Sequence, residues 1–416
     1  MNRIEKRTLE IIYVISMAVA FSYMFGGEQV TFWYKYLIAS FWTIIYFVPQ
    51  IIRTKVIKGK EATYLKAYIL PLIIILLWTL LIWAINPPSG LATSNVTRLF
   101  SNILYLALAV MSAIAAVHFF GRKVIKLSVW AIAISILANA IYAIYLYGIR
   151  VFLSYLPQAI FSVDFSYGSK LYLFGMAVEV QDATLATGFF ILYFIFMDQE
   201  DSIKTRIKYI LLLLLLSYIG FKRTEYYALI IIAIWILIIK RLKISVKASI
   251  YITGIMFFVI GVVYTIIVKN DTFRVLITAI GTDVNGRQNI YRNLSNYYEL
   301  SLFYIGKGFT YVDKTMYDTT GFASHNTIIR MYAELGAIPC MAWIYWYVVA
   351  VPKKILKKYG KEEAFVLLIS TMYLFLAYCI GNAMDFYCIQ YCFVLIPIAL
   401  SKNTVTKKYI NNKQHQ

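Results

Sequence analysis

Apolar runs recur along the whole chain, separated by short polar segments, and no other feature constrains its fold so strongly. Twelve of them approach the ~20 residues needed to cross a hydrocarbon core. They lie at 9–25, 30–52, 68–85, 99–120, 125–147, 183–197, 207–221, 226–239, 248–268, 327–351, 364–380 and 386–400. A helix satisfies its own backbone groups in lipid, so the pattern predicts an all-α polytopic membrane protein with about 12 transmembrane helices. Composition closes off the alternatives. Of 416 residues, 61% are hydrophobic and 14% charged, and mean hydropathy is +0.70. A globule of this size has too little interior to hide so much apolar surface, and a disordered chain would carry far less of it. Residues 1–416 are therefore read as a single polytopic membrane domain.

The charges set an expected orientation. From an inside N-terminus, alternate polar segments hold 3, 5, 3, 3, 4, 5 and 4 Lys+Arg, which is 27 of the 40. Short cytoplasmic loops carry such an excess, so both termini are expected in the cytoplasm, and the basic balance implies no nucleic-acid partner. Arg3, Lys6 and Arg7 precede the first run with no small-residue cleavage site after it, which reads as a retained span. The runs 183–197, 207–221 and 226–239 are short, and their outer ends carry Glu179, Asp182, Lys222, Arg223 and Glu225. Charges at that depth predict a polar funnel open to the outer leaflet. Reading 207–239 as one helix would place Lys222-Arg223-Thr224-Glu225 in lipid, a cost that favours a hairpin.

One loop stands apart. Residues 269–324, between the ninth and tenth runs, are expected outside the membrane and hold six cations, five anions and ten Phe or Tyr. Within 286–302, Ile290, Leu294, Tyr298 and Leu302 recur every four residues, predicting a helix with Arg287 and Arg292 near its start. Cys340, Cys379, Cys388 and Cys392 fall in apolar runs with no CxxC pair, so packed thiols are expected, with no disulfide framework and no metal site.

Few residues on the outer side could carry chemistry. His118 adjoins a basic loop and His415 lies in the tail, whereas His325 sits at the mouth of the tenth run, followed by Asn326. Imidazole exchanges a proton near neutral pH, which makes His325 a candidate general base. Arg223, Arg287, Arg292 and Arg330 supply planar cations suited to a phosphate, although Arg330 and Glu334 at i, i+4 also suit a structural pair. Tyr291, Tyr297, Tyr298 and Tyr304 could stack on sugars or mark the interface. Walker, HExxH, GxSxG and outward Asp-x-Asp motifs are all missing.

In order along the chain stand Gly286-Arg287, Gly306-Lys307-Gly308-Phe309, His325-Asn326 and Glu334-Leu335-Gly336. This series resembles the O-antigen polymerase and ligase superfamily, whose pattern is a GR helix start, a GxG turn, an HN at the next span and ExG within it. Lys222-Arg223 resembles that family's arginine between two spans, and 175–186 resembles the segment before it, with Asp182 where many members carry Asn. The similarity covers mainly 175–336. It implies an enzyme of the bacterial cytoplasmic membrane acting on polyprenyl-diphosphate-linked glycans at the outer face, in the manner of a Wzy-type polymerase or a WaaL-type ligase. The abundance of Lys, Ile, Tyr and Asn suits a low-GC bacterium lacking lipid A, which favours polymerisation of capsular or exopolysaccharide repeat units. The resemblance implies catalytic roles for His325, Arg287 and Arg223. Arg292, Asn326, Arg330, Glu334, Asp182 and Tyr291 are the expected substrate contacts, and no cofactor or metal is implied. Implied partners are the lipid-linked oligosaccharide, the bilayer, a flippase and a chain-length regulator. The rival class is a twelve-helix transporter or flippase, but residues 53–66 lack the Gly-x-x-x-Asp-Arg pattern of major-facilitator carriers.

Overall fold

The computed structural model describes residues 3–22, 33–53, 57, 59–161, 169–178, 181–198, 200–220, 223–280 and 287–401. Among the described residues the fold is all-α, with no strand. The first helices are α1 (Arg3–Phe21), α2 (Trp33–Ile52), α3 (Gly59–Ile85), α4 (Thr93–Phe120), α5 (Lys123–Tyr147), α6 (Ile149–Phe161) and α7 (Lys170–Val178). Next come α8 (Gln181–Leu192), a π turn (Tyr193–Met197), α9 (Ile203–Gly220), α10 (Arg223–Arg241) and α11 (Val246–Lys269). Then follow α12 (Thr272–Ile280), α13 (Arg287–Ser295), α14 (Tyr311–Thr320), α15 (Thr327–Leu335) and α16 (Ala337–Tyr345). A second π turn (Trp346–Ala350), α17 (Val351–Tyr359), α18 (Lys361–Ile380), a 3-10 turn (Ala383–Asp385) and α19 (Tyr387–Ser401) complete the chain.

Among the described residues six helices, α2, α3, α4, α5, α11 and α18, are long and apolar enough to cross a membrane. Each of the twelve apolar runs has helix at its centre, but 327–351 is not one element: it breaks at Gly336 into α15 and α16. The helices of the three short runs extend past their apolar cores into flanking charges. Helix α9, for example, has 18 residues, about 27 Å at 1.5 Å per residue.

The chain folds as two compact units. The first comprises Met1–Leu65, Leu108–Ile230 and Phe386–Gln416. Its core is tied by Tyr13, whose hydroxyl lies 2.7 Å from both Ser128 Oγ and Tyr391 Oη, joining α1, α5 and α19. Buried Ala131, Ala133, Ala140 and Ala143 let the neighbours of α5 approach closely. Beside α5, Arg122 pairs with Asp198 and Glu200, Lys126 with Asp201 and Lys123 with Glu10. Cations counted toward the cytoplasmic side are thus neutralised locally. Cys340, Cys379, Cys388 and Cys392 are all free and buried, as packed thiols should be.

The second unit comprises Lys66–Ala107 and Ile231–Asp385. It contains the described part of the 269–324 segment, which carries three helices, α12, α13 and α14, where the periodicity predicted one. The predicted helix also stops early, at Ser295 rather than 302. The reason is Lys269, whose Nζ donates to the carbonyls of Ser295 and Tyr298 at 2.7 and 2.6 Å. Those oxygens are then satisfied without another helical turn.

Candidate functional site

Helix α15 is nine residues long, too short to be stable alone, and both of its ends are fixed by residues distant in sequence. At its start the Asn326 side chain accepts from Ile329 N at 3.0 Å, an N-cap, while its Nδ2 donates to Cys379 O at 2.9 Å. Thr327 donates through both N and Oγ1 to Gly381 O. At its end Lys307 N donates to Ala333 O (3.1 Å), Gly308 N to Glu334 O (2.7 Å) and Ala337 N to Tyr304 O (2.9 Å). The 306–308 turn therefore satisfies carbonyls that the helix leaves open. Gly306 (φ +86°) and Gly336 (φ +90°) permit this approach, because a Cβ on either would collide with backbone of the other segment. Three of the sequence motifs thus meet on one helix: His325-Asn326 starts it, Glu334-Leu335-Gly336 ends it, and Gly306-Lys307-Gly308 caps it.

The buried face of α15 carries a charge cluster. Arg330 is fully buried and pairs with Glu334 at 3.1 Å, Asp385 at 2.5 Å and Asp313 at 3.9 Å, with the Phe309 ring 5.4 Å from its guanidinium carbon. The expected i, i+4 pair forms, and two more carboxylates join it. Asp313 also meets Arg98 at 3.1 Å, and its Oδ1 accepts from both Ser324 N and Ser324 Oγ at 3.0 Å. Burial alone would raise the Asp313 carboxyl, but Arg330, the Ser324 amide and Arg98 outweigh it and hold the group below the ordinary carboxylate range. Nothing in the sequence marks Arg98, Asp313 or Asp385. They lie in three segments that only the fold brings together.

His325 stands where these constraints converge. Ser324 and Asn326 on either side are buried, whereas His325 is partly exposed and held at φ +49°, the left-handed region. For a non-glycine residue that conformation persists only where surroundings over-determine it, and such residues cluster at functional sites. The Tyr291 hydroxyl makes a long bond, 3.4 Å, to His325 O and accepts one of equal length from Tyr264. Arg287 opens α13, the helix that carries Tyr291. Tyr291 and His325 thus meet in the second unit. Among the described residues no carboxylate pairs with Arg287 or with the exposed Arg292.

Other expected site residues take different roles. Asn326, Arg330 and Glu334 are buried and committed to one another or to backbone, so they position the site rather than face a sugar. Tyr291 and Tyr298 are likewise buried, Tyr298 donates to Thr265 O, and Tyr304 stacks on Tyr332, which removes these rings from sugar stacking. In the first unit, Glu225 accepts from Thr187 Oγ1 at 2.5 Å and Ser217 Oγ at 2.8 Å and is fully buried, so it does not line a polar funnel. The bond between Ser217 and Glu225 spans eight residues, about 12 Å along a continuous helix. Residues 207–239 are therefore two helices, α9 and α10, and not one continuous helix. Asp182 lies in α8 and Arg223 opens α10, but their side chains, with all of Glu179 and Lys222, lie outside the described residues.

Compared with family models, curated proteins and solved structures, the chain matches none.

Proposed function

We propose that this chain is a polysaccharide polymerase, transferring a glycan from a polyprenyl-diphosphate donor to a sugar hydroxyl of a lipid-linked acceptor at the outer face of a bacterial cytoplasmic membrane. The observation that carries the reading is His325: a partly exposed residue held at positive φ between two buried ones, with Tyr291, from the helix that Arg287 opens, bonded to its carbonyl. Such a site suits a reaction whose leaving group is already activated. The acceptor oxygen attacks the anomeric carbon and its proton passes to the His325 imidazole. The bond from that carbon to the diphosphate breaks, and the departing prenyl diphosphate keeps the electron pair, stabilised by Arg287. His325 then returns its proton to solvent. The same reading holds that the chain crosses about 12 times, with both termini in the cytoplasm and 269–324 outside. A flippase would supply the substrate and a chain-length regulator would limit the product.

Transport is the competing class, and one experiment separates the two. Purified protein incubated with a lipid-linked repeat unit, with no energy source, is expected to yield a ladder of longer glycans. Unchanged substrate, in preparations that move it across a vesicle membrane, would replace the enzyme with a carrier.

A further inference from the structure

In the second unit the chain between α13 and α14 runs without helix, yet protein side chains reach in to serve its backbone. Lys269 Nζ donates to Ser295 O and Tyr298 O, and Tyr304 Oη to Tyr297 O at 2.8 Å. Tyr332 Oη donates to Glu299 O and Trp83 Nε1 to Lys307 O, both at 2.9 Å. A loop standing in water leaves such carbonyls to solvent, so this use of long side chains suits backbone that water reaches poorly. Where the backbone turns inward, the apolar side chains turn out. Leu300, Leu302, Phe303 and Ile305 are exposed, Phe303 at 87% and Leu302 at 64%. All four lie within 300–305, which holds no charge and is flanked by Glu299 and Lys307. Scattered apolar residues are ordinary on a surface facing water, but a contiguous run marks a binding face.

Position decides what covers the run. Leu300 and Leu302 line one cavity with Phe258, Val262 and Ile266 of α11. Those three residues lie one to three turns short of the helix end at Lys269. They are themselves exposed, on a helix long and apolar enough to cross a membrane. The run therefore lies beside the lipid-facing side of α11, level with its last turns. Behind it the rings of Tyr298 and Tyr304 pack on Tyr332, with centroids 5.4 and 5.7 Å apart. Amphipathic rings of this kind sit at the level of lipid headgroups.

We infer that residues 299–307 are an interfacial anchor, with Leu300, Leu302, Phe303 and Ile305 inserted among the acyl chains of the leaflet at that end of α11 and Glu299 and Lys307 at its edges. The anchor runs directly into the 306–308 turn that caps α15, so its lipid contact holds the turn, and through α15 the His325 segment, against the bilayer. The assignment is independent of the reaction proposed above.

The test places a nitroxide on single cysteines in the full-length protein, in phosphatidylglycerol vesicles and in a background without the native four cysteines. At Leu302 and Phe303 the nitroxide is expected to collide more often with oxygen, which concentrates among acyl chains, than with a water-soluble nickel chelate. At Asp318 on α14 the order should reverse. Faster collision with the chelate at Phe303 would overturn the anchor. Shielding from both reagents would also overturn it, because a protein partner or a second copy would then cover the run. If the substituted chains fail to fold, the native protein gives the answer in vesicles that contain a phospholipid with a diazirine in its acyl chain. Cross-linked lipid is expected on the tryptic peptide 293–307, and its absence while peptides of α11 carry label would overturn the assignment. In the double variant Leu302→Ser, Phe303→Ser, amide exchange at Gly308 should quicken, and unchanged exchange would overturn the hold on α15.

Discussion

Arg330 sits among three carboxylates, Glu334, Asp385 and Asp313, with its guanidinium fully buried. Removing it would strand those charges, and breaking a buried pair by deleting one partner typically costs about 3–5 kcal/mol. Arg330→Ala is therefore expected to lower the denaturation midpoint sharply in detergent, and Arg330→Lys to recover only part, because lysine lacks the fork that serves several acceptors. Asp313 adds a pH dependence whose sign is fixed by its depressed carboxyl. Such a group contributes stability in full above its unfolded value, near ~3.9, and loses it as pH falls through the lower folded value. Thermal midpoints should thus decline below about pH 4 in the native protein and decline less in Asp313→Asn. A curve of unchanged shape in Asp313→Asn would show that the Arg98 and Arg330 contacts do not stabilise the charged form.

At the scale of elements, α15 depends on its borrowed ends. Gly336 adopts φ +90° and ψ 174°, a region essentially closed to other residues and costing of order 1–3 kcal/mol. Its Cβ would also meet backbone of 304–305. Gly336→Ala is expected to loosen the contact with the 304–308 turn, read as faster amide exchange at Gly308 and Ala337 than in the native protein. Hydropathy found the centres of the membrane helices because composition alone reports a run that lipid can surround. It could not find the break at Gly336, since Ala337–Ala350 is as apolar as a continuous span would be. The four-residue period found α13 but overran it, because a lysine from α11 ends the helix and no local signal announces that. Sequence order marked the motifs that meet on α15, with His325-Asn326 at its start and the 306–308 turn at its end. It missed Arg98, Asp313 and Asp385: the two carboxylates pair with Arg330, and Arg98 reaches Asp313 across 215 residues of chain. Asn326 and Tyr291, expected as substrate contacts, are buried and bonded within the protein.

Sidedness is a property of the whole molecule. In a background without the four native cysteines, single cysteines at Asn270 or Asp318 should react with an impermeant thiol reagent on intact cells. Those replacing Lys58, Lys243 or Lys357 should react only after lysis, and outside labelling at Lys243 would contradict the proposed outer location of the turn between α9 and α10. Chemistry is the larger claim, and the His325 series tests it most directly. With purified, correctly folded protein and a lipid-linked repeat unit, the native chain should build a glycan ladder while His325→Ala and His325→Arg build none, since neither can accept the acceptor's proton near neutral pH. A robust ladder from His325→Arg would contradict the general-base assignment and leave only a charged grip on the diphosphate.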